Sequence, residues 1–189
     1  MSDPQILVLN NGGQLTSKIP QVLGEEGHRA GVLNPDPDKV NGWLAKHETK
    51  CIILSGGWAS VYEQDAPALP EGLLKIRRKD GSPMPILGIC YGMQRMAHEL
   101  GGKVVRASSG YGPGTIERSC TSALFRDTPA IQNVWESHGD SVVELPRGFR
   151  VIAVSASSQG IAAIESLEHM WWGVQFHPSA SSLSRYPSQ

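Results

Sequence analysis

Five short apolar runs rich in branched residues recur along the chain: Ile6 to Leu9, Ile52 to Leu54, Ile86 to Ile89, Val151 to Val154 and Gly173 to Phe176. Runs of this length, bounded by Gly, Pro or polar residues, are too short for helices and suit strands buried on both faces. Between the first several lie segments whose apolar residues recur at helical spacing, Ser17 to Glu26, Pro37 to Lys46, Glu71 to Lys79 and Tyr91 to Leu100, each closed by a glycine or a polar turn. Strand then helix, repeated, predicts an α/β fold with a parallel sheet covered on both faces. After Gly102 the helical spacing fades. Val104, Thr115 to Glu117, Val134, Val142 and Val151 suggest shorter strands between Gly, Pro and Ser turns, hence a mixed, partly antiparallel second half. The end, Ser179 to Gln189, is small, polar and without pattern, and is expected to fray.

Length and composition narrow the picture. The 189 residues suffice for one sizeable core and leave little room for a second. Seventeen basic residues nearly cancel eighteen acidic ones, so nothing points to a nucleic-acid partner. The N-terminus is polar, and no apolar stretch approaches the ~18 residues of a membrane span, so neither export nor membrane insertion is expected. Three cysteines, Cys51, Cys90 and Cys120, are an odd number without the close pairing of a zinc site. A reducing cytoplasm fits that usage. There a cysteine is either a small core residue or a working thiol, and its surroundings decide which.

Cys90 stands in Gly88-Ile89-Cys90-Tyr91-Gly92-Met93-Gln94, where an apolar strand stops and a helical pattern begins. The spacing is that of a nucleophile elbow: a tight strand-to-helix turn has no room for side chains two residues either side of the nucleophile, and it exposes the sulfur at the edge of the sheet. The free N–H groups and dipole of the following helix favour a thiolate. A second element is Leu54-Ser55-Gly56-Gly57, a strand running into glycines whose bare backbone could aim an N–H at a reacting carbonyl. A thiol also needs a base. Among six histidines, His177 in Trp172-Gly173-Val174-Gln175-Phe176-His177-Pro178 follows a predicted strand at the sheet edge where such folds gather their sites, and His138 in Ser137-His138-Gly139-Asp140 competes with it. No phosphate-binding G-x-x-x-x-G-K occurs, and Gly110-Tyr111-Gly112-Pro113-Gly114 is interrupted by proline, which disfavours ATP or a dinucleotide in this chain. Met93 and Met96 have the spacing of core packing.

In order and spacing, these four motifs resemble class I (triad) glutamine amidotransferases. Within that family the Cys-Tyr-Gly-Met-Gln and Ser-His-Gly-Asp versions, and the opening Ile6-Leu7-Val8-Leu9-Asn10-Asn11-Gly12-Gly13-Gln14, are most similar to the glutaminase part of GMP synthetases. The resemblance runs over residues 1–178, leaving 179–189 as an atypical tail. It implies a flavodoxin-like open sheet, mostly parallel, with helices on both faces and a smaller antiparallel part in the second half. It also implies that Cys90 attacks the carboxamide of L-glutamine, that His177 takes the thiol proton and gives it to the departing ammonia, and that a γ-glutamyl thioester is then hydrolysed. By the same resemblance, backbone N–H groups of Gly57 and Tyr91 would hold the oxyanion, while Gln94 and a loop of Ser137, His138, Gly139 and Asp140 would grip the amino-acid end. No cofactor or metal is implied in this chain. ATP and Mg belong to a synthetase domain or subunit that would use the ammonia to aminate XMP.

Three positions depart from the family pattern. Where the triad has glutamate two residues after the histidine, this chain has Ser179; with period-two spacing, 177 and 179 would share a strand face, and serine carries no charge there to orient the imidazole. Trp58 replaces a common proline, and the family's closing helix gives way to Ser179 to Gln189. Besides a weakened glutaminase, the residues leave open an amidotransferase for another acceptor, a γ-glutamyl hydrolase, and a pseudoenzyme that binds glutamine or a partner without turnover.

Overall fold

The computed structural model describes residues 3–180, those at 107–109 by their backbone alone. Nine strands, β1 (Ile6–Leu9), β2 (Ala30–Leu33), β3 (Cys51–Leu54), β4 (Ile86–Ile89), β5 (Lys103–Arg118), β6 (Ile131–Glu144), β7 (Arg150–Ser155), β8 (Ile161–Ser166) and β9 (Trp171–Val174), form one sheet in the order β2-β1-β3-β4-β9-β8-β7-β5-β6. The first five in that order run parallel and the remaining pairings are antiparallel. Among the described residues three α-helices accompany them: α1 (Lys18–Glu25), α2 (Pro37–Lys46) and α3 (Tyr91–Glu99).

Alternation along the parallel strands sends neighbouring residues to opposite faces. Val8, Ile53, Ile89 and Val174 pack with Ile19 of α1, whereas Leu7, Leu9, Ile52, Leu54 and Ile86 pack with Val40 of α2 and Met96 of α3. Both faces are thereby covered, which is why these strands lack polar positions. A third cluster, around Tyr91, Met93 and Ala97 of α3, Val104, Val142 and Ile164, joins the helix after the cysteine to the antiparallel half. Helix α2 starts where it should. Asp36 accepts a hydrogen bond from the Lys39 N–H at 3.0 Å and Pro37 occupies the first turn.

Several expectations change. The predicted helix from Glu71 to Lys79 is only a single 3₁₀ turn, Leu73–Lys75, because Gly72 is left-handed at φ 78° and the chain turns back so that Arg77 bridges Pro83. The shorter strands expected after Gly102 are instead two long ones, β5 and β6, paired as an antiparallel ribbon with a register shift between Arg106 and Gly110. Gly110 to Gly114 belongs to β5, and Ser137 to Asp140, read as a loop, lies inside β6. Two strands carry no strong signal. The edge strand β2 contains Gly31, whose missing side chain makes room for the Trp43 ring, and β8 reads Ile-Ala-Ala-Ile-Glu-Ser. Glu165 of β8 is buried because Arg150 donates to it from Nε at 2.9 Å and also from its terminal nitrogen, while Ser122 and the Trp172 indole donate to its other oxygen. Of the expected frayed tail, Ser179 and Ala180 are buried in a 3₁₀ turn; residues 181–189 lie outside the described part. Among the described residues no helix is long and apolar enough to cross a membrane.

Candidate active site

The carboxyl ends of β1, β3, β4 and β9 converge on one cavity of about 830 Å³, walled on the far side by the β5–β6 ribbon. Cys90 sits at its floor. It adopts φ 51° and ψ −108°, a backbone conformation an L-residue rarely takes, and is held there by its N–H donating to the Val174 carbonyl at 2.7 Å while its own carbonyl accepts from the Gln94 N–H at 3.0 Å. The flanking glycines make the turn possible: a β-carbon on Gly88 would stand 2.6 Å from the Met93 nitrogen, and one on Gly92 would collide with the Leu54 carbonyl. The elbow read from the sequence is therefore formed.

Gly56 separates the side chains of Cys90 and His177. A β-carbon at this position would lie 2.7 Å from Cε1 of His177 and 3.6 Å from Cβ of Cys90, so both flank the same bare backbone. The turn bearing Gly56 is tied down by a buried polar network: the Asn11 N–H and the Thr16 hydroxyl each donate to the Ser55 hydroxyl at 3.0 Å, and the Asn11 amide donates to the Ser55 carbonyl at 2.8 Å. His177 follows β9 by three residues, since the strand ends at Val174 rather than Phe176, and its N–H donates to the Trp135 carbonyl of β6 at 2.9 Å.

Burial governs the protonation of the pair. It pushes the Cys90 thiol up to about 12, against the Tyr91 N–H and the Gln175 amide, which favour the thiolate, and the charge of Asp140 adds to the upward push. It holds His177 below the ordinary histidine value, opposed by a hydrogen bond to the Ser137 carbonyl and reinforced by neighbouring His138. His138 is also held down by burial. At neutral pH the resting site thus contains a thiol and a neutral imidazole, with the thiol donating to the Ser137 carbonyl at 3.5 Å.

Gly57, Cys90, Gln94, Ser137, His138, Gly139, Asp140 and His177 all border this cavity, as their motifs suggested. Tyr91 does not: its ring is fully buried and its hydroxyl donates to the Pro67 carbonyl, leaving only its backbone N–H beside the thiol. Gln94 borders the cavity but its amide nitrogen donates to the Asp140 carbonyl at 2.7 Å and to Oε1 of Gln175 at 3.3 Å, so that end clamps α3 to β6. His138 turns back on its own strand, with Nδ1 3.1 Å from the Asp140 carbonyl. Ser179 is not on a strand face with His177. It lies in the 3₁₀ turn that follows, beside a separate void of about 10 Å³ bounded by Gly13, Gly56 and His177. Trp58, at the mouth, is 80% exposed, with its indole nitrogen over Gly12. Among the described residues no cluster of three or more His, Cys, Asp or Glu side chains could hold a metal ion.

Sequence reasoning missed Arg106, Tyr111 and Trp135, and quoted Asn11 and Gln175 within motifs without giving them a role. The β5 and β6 residues reach the site through a pairing that no local pattern announces.

A strained cysteine at a strand-to-helix elbow and a buried histidine thus stand on either side of Gly56, at the carboxyl edge of an α/β sheet and on one cavity. The family model for class-I glutamine amidotransferases matches residues 7–187, and the chain belongs to that family. Among curated relatives, it is 38% identical over 181 residues to the glutamine-hydrolyzing GMP synthase of Pyrobaculum aerophilum, covering 96% of this chain and 34% of that protein. It is 42% identical over 174 residues to the glutamine-hydrolyzing GMP synthase of Bacillus subtilis, covering 92% and 32%. The chain thus spans about a third of the length of these relatives. A crystal structure from Thermoplasma acidophilum, described as that of a GMP synthase subunit, superposes with a TM-score of 0.77 at 29% identity, covering 95% of this chain and 86% of that one. A glutamine amidotransferase structure from Thermotoga maritima, at 22% identity and TM-score 0.69, shares the fold.

Proposed function

We propose that this chain is a cytoplasmic glutaminase unit that releases ammonia from L-glutamine on Cys90 and passes it to a synthetase using ATP and Mg to aminate XMP to GMP. The observation that carries the reading is Cys90 itself, strained at the elbow and flanked with His177 around Gly56. His177 takes the thiol proton, the sulfur attacks the carboxamide carbon, and the N–H groups of Gly57 and Tyr91 receive the oxyanion. The imidazolium protonates the departing nitrogen, ammonia leaves, and water attacks the γ-glutamyl thioester under the same base to give glutamate and restore the thiol. His138 is less suited as base because its ring already engages its own strand. Arg106 and Asp140, opposite each other in the β5–β6 register and both on the cavity wall, offer complementary charges to the α-carboxylate and α-ammonium groups of glutamine. The names of the relatives support GMP synthesis as the destination, and the synthetase would be the part those longer proteins contain beyond this match.

The test is glutamine-dependent ammonia release by the purified chain, with and without an XMP-aminating synthetase. Release that rises with the synthetase and vanishes in Cys90→Ala is the expected result; no release under either condition would overturn the reading. Ser179→Glu is expected to raise kcat, because a carboxylate would stabilise the imidazolium, and to lower the melting temperature, because a void of about 10 Å³ is smaller than the added group. A second reading, glutamine binding without turnover, draws on the serine at 179. A glutamine-mimicking diazo-ketone decides: rapid modification of Cys90 supports the enzyme, and glutamine binding without modification supports the binding module.

A further inference from the structure

Four Trp, Tyr or Phe side chains among the described residues are exposed: Trp58 at 80%, Tyr111 at 73%, Tyr62 at 61% and Trp135 at 38%. All but Tyr62 border the cavity that holds Cys90. They reach it from three separate elements, Trp58 from the turn after β3, Tyr111 from β5 and Trp135 from β6. Among the described residues none of these three rings stacks on another ring or makes a side-chain hydrogen bond. A single exposed aromatic is ordinary, whereas three around one concavity mark a surface that another molecule covers. Because they line a cavity and not a flat face, the group they suit is one that enters the cavity.

Glutamine leaves them unused. In the proposed glutaminase step its charged end meets Arg106 and Asp140 and its carboxamide meets Cys90, so no part of it remains for the rings. A single amino acid also fills only a fraction of about 830 Å³, a volume in the range that takes drug-sized ligands. Trp58 directly follows Gly57, whose N–H is assigned to the oxyanion, and its indole nitrogen lies 3.3 Å from where a β-carbon of Gly12 would stand. A substituent on the carboxamide nitrogen is bonded to the same carbon as that oxygen, so it begins beside the indole.

We infer that the chain also hydrolyses γ-glutamyl amides whose nitrogen carries an aromatic ring, and that Trp58, Tyr111 and Trp135 receive that ring. The inference rests on the glutaminase reading for its nucleophile and base and adds no reactant. The Cys90 thiol gives its proton to His177 and its sulfur bonds to the γ-carbonyl carbon. The carbon–nitrogen bond then breaks as His177 protonates the nitrogen, and an aryl amine leaves where ammonia would. Water hydrolyses the thioester to glutamate and restores the thiol. Burying a ring against the indole removes apolar surface of both from water and adds an aromatic pair.

The test uses the purified chain with L-γ-glutamyl-p-nitroanilide, following p-nitroaniline by its absorbance, beside ammonia release from glutamine. The chain is expected to release p-nitroaniline, and Cys90→Ala to abolish the release. In Trp58→Ala the ratio of kcat/KM for the anilide to kcat/KM for glutamine is expected to fall about tenfold, the scale of one aromatic pair, while Trp58→Phe keeps it. The exposure of Trp58 lets both variants fold, and Tyr111→Ala should lower the same ratio. No p-nitroaniline from a chain that releases ammonia from glutamine overturns the inference and leaves the glutaminase reading intact. An unchanged ratio in Trp58→Ala also overturns it, and loss of that variant's response to the synthetase would then assign the rings to the protein partner. Release of p-nitroaniline without release of ammonia leaves this inference standing and sinks the glutaminase reading.

Discussion

At the scale of single residues, the site depends on what is absent from Gly56 as much as on what Cys90 and His177 carry. Adding one methyl group there forces the His177 ring or the thiol aside, since the ring would be 2.7 Å from the new carbon. Gly56→Ala is accordingly expected to lower kcat at least about tenfold, because small misplacements of a base cost orders of magnitude, while leaving the far-ultraviolet circular dichroism unchanged. The two buried imidazoles make stability depend on pH. Both His138 and His177 have folded values below the ordinary one, so the unfolded chain binds protons more readily. Their contribution is complete above about pH 6.5 and is lost as the pH falls from there through the depressed folded values. Urea midpoints should therefore be lower at pH 5.5 than at pH 7.5, and His138→Gln should narrow that difference.

At the scale of elements, helix starts and strand ends set the geometry. Asp36 closes the start of α2 with a hydrogen bond to the Lys39 N–H, and Asp36→Ala should cost about 1 kcal/mol in chemical denaturation with no change in kcat, because α2 borders none of the reactive groups. Helix α3 has no comparable side-chain cap. Its first residue follows Cys90 directly, so the capping position is held by the cysteine, with the Tyr91 N–H beside the sulfur. The ribbon of β5 and β6 does two things: it adds Ile116 and Val134 to the cluster of Val8, Ile53 and Ile89, and it brings Arg106, Tyr111, Trp135 and Ser137 to Asp140 across to the thiol.

At the scale of the whole molecule, the parallel and antiparallel halves are one sheet joined where β9 meets β8. Ile164 lies at that junction, fully buried and paired with Gly173, and packs in the cluster that includes Tyr91 and Met93. Ile164→Ala should lower unfolding stability by about 3 kcal/mol, with a single transition seen by both tryptophan fluorescence and circular dichroism if the halves unfold together. Continuity through this junction also explains why the site can draw on residues from Gly12 to Ala180.

The elements legible in advance were those whose signal is local. Ile6 to Leu9 and Ile86 to Ile89 were read to the residue because continuous branched runs fit only a strand buried on both faces, and Pro37 to Lys46 because its apolar residues recur at helical spacing before a polar turn. The elbow was equally legible, since the steric demand for glycine at 88 and 92 is written within five residues. Missing from any local pattern were β2, whose Gly31 answers to Trp43, and β8, whose buried Glu165 is tolerable only because Arg150, Ser122 and Trp172 meet it from elsewhere. The 3₁₀ turn placing Ser179 behind rather than beside His177, the Ser137 carbonyl against the thiol, and the Gln94–Gln175 relay likewise depend on partners up to 81 residues away. The sequence by itself determined that a cysteine would stand at a strand-to-helix turn at the end of a buried strand, because that requirement is one of backbone sterics between near neighbours; that the sulfur is buried there, and not exposed, came from the fold. Only the tertiary structure decided which groups would surround that sulfur and set its charge, because burial and hydrogen bonding are fixed by chain segments that meet only in the folded state.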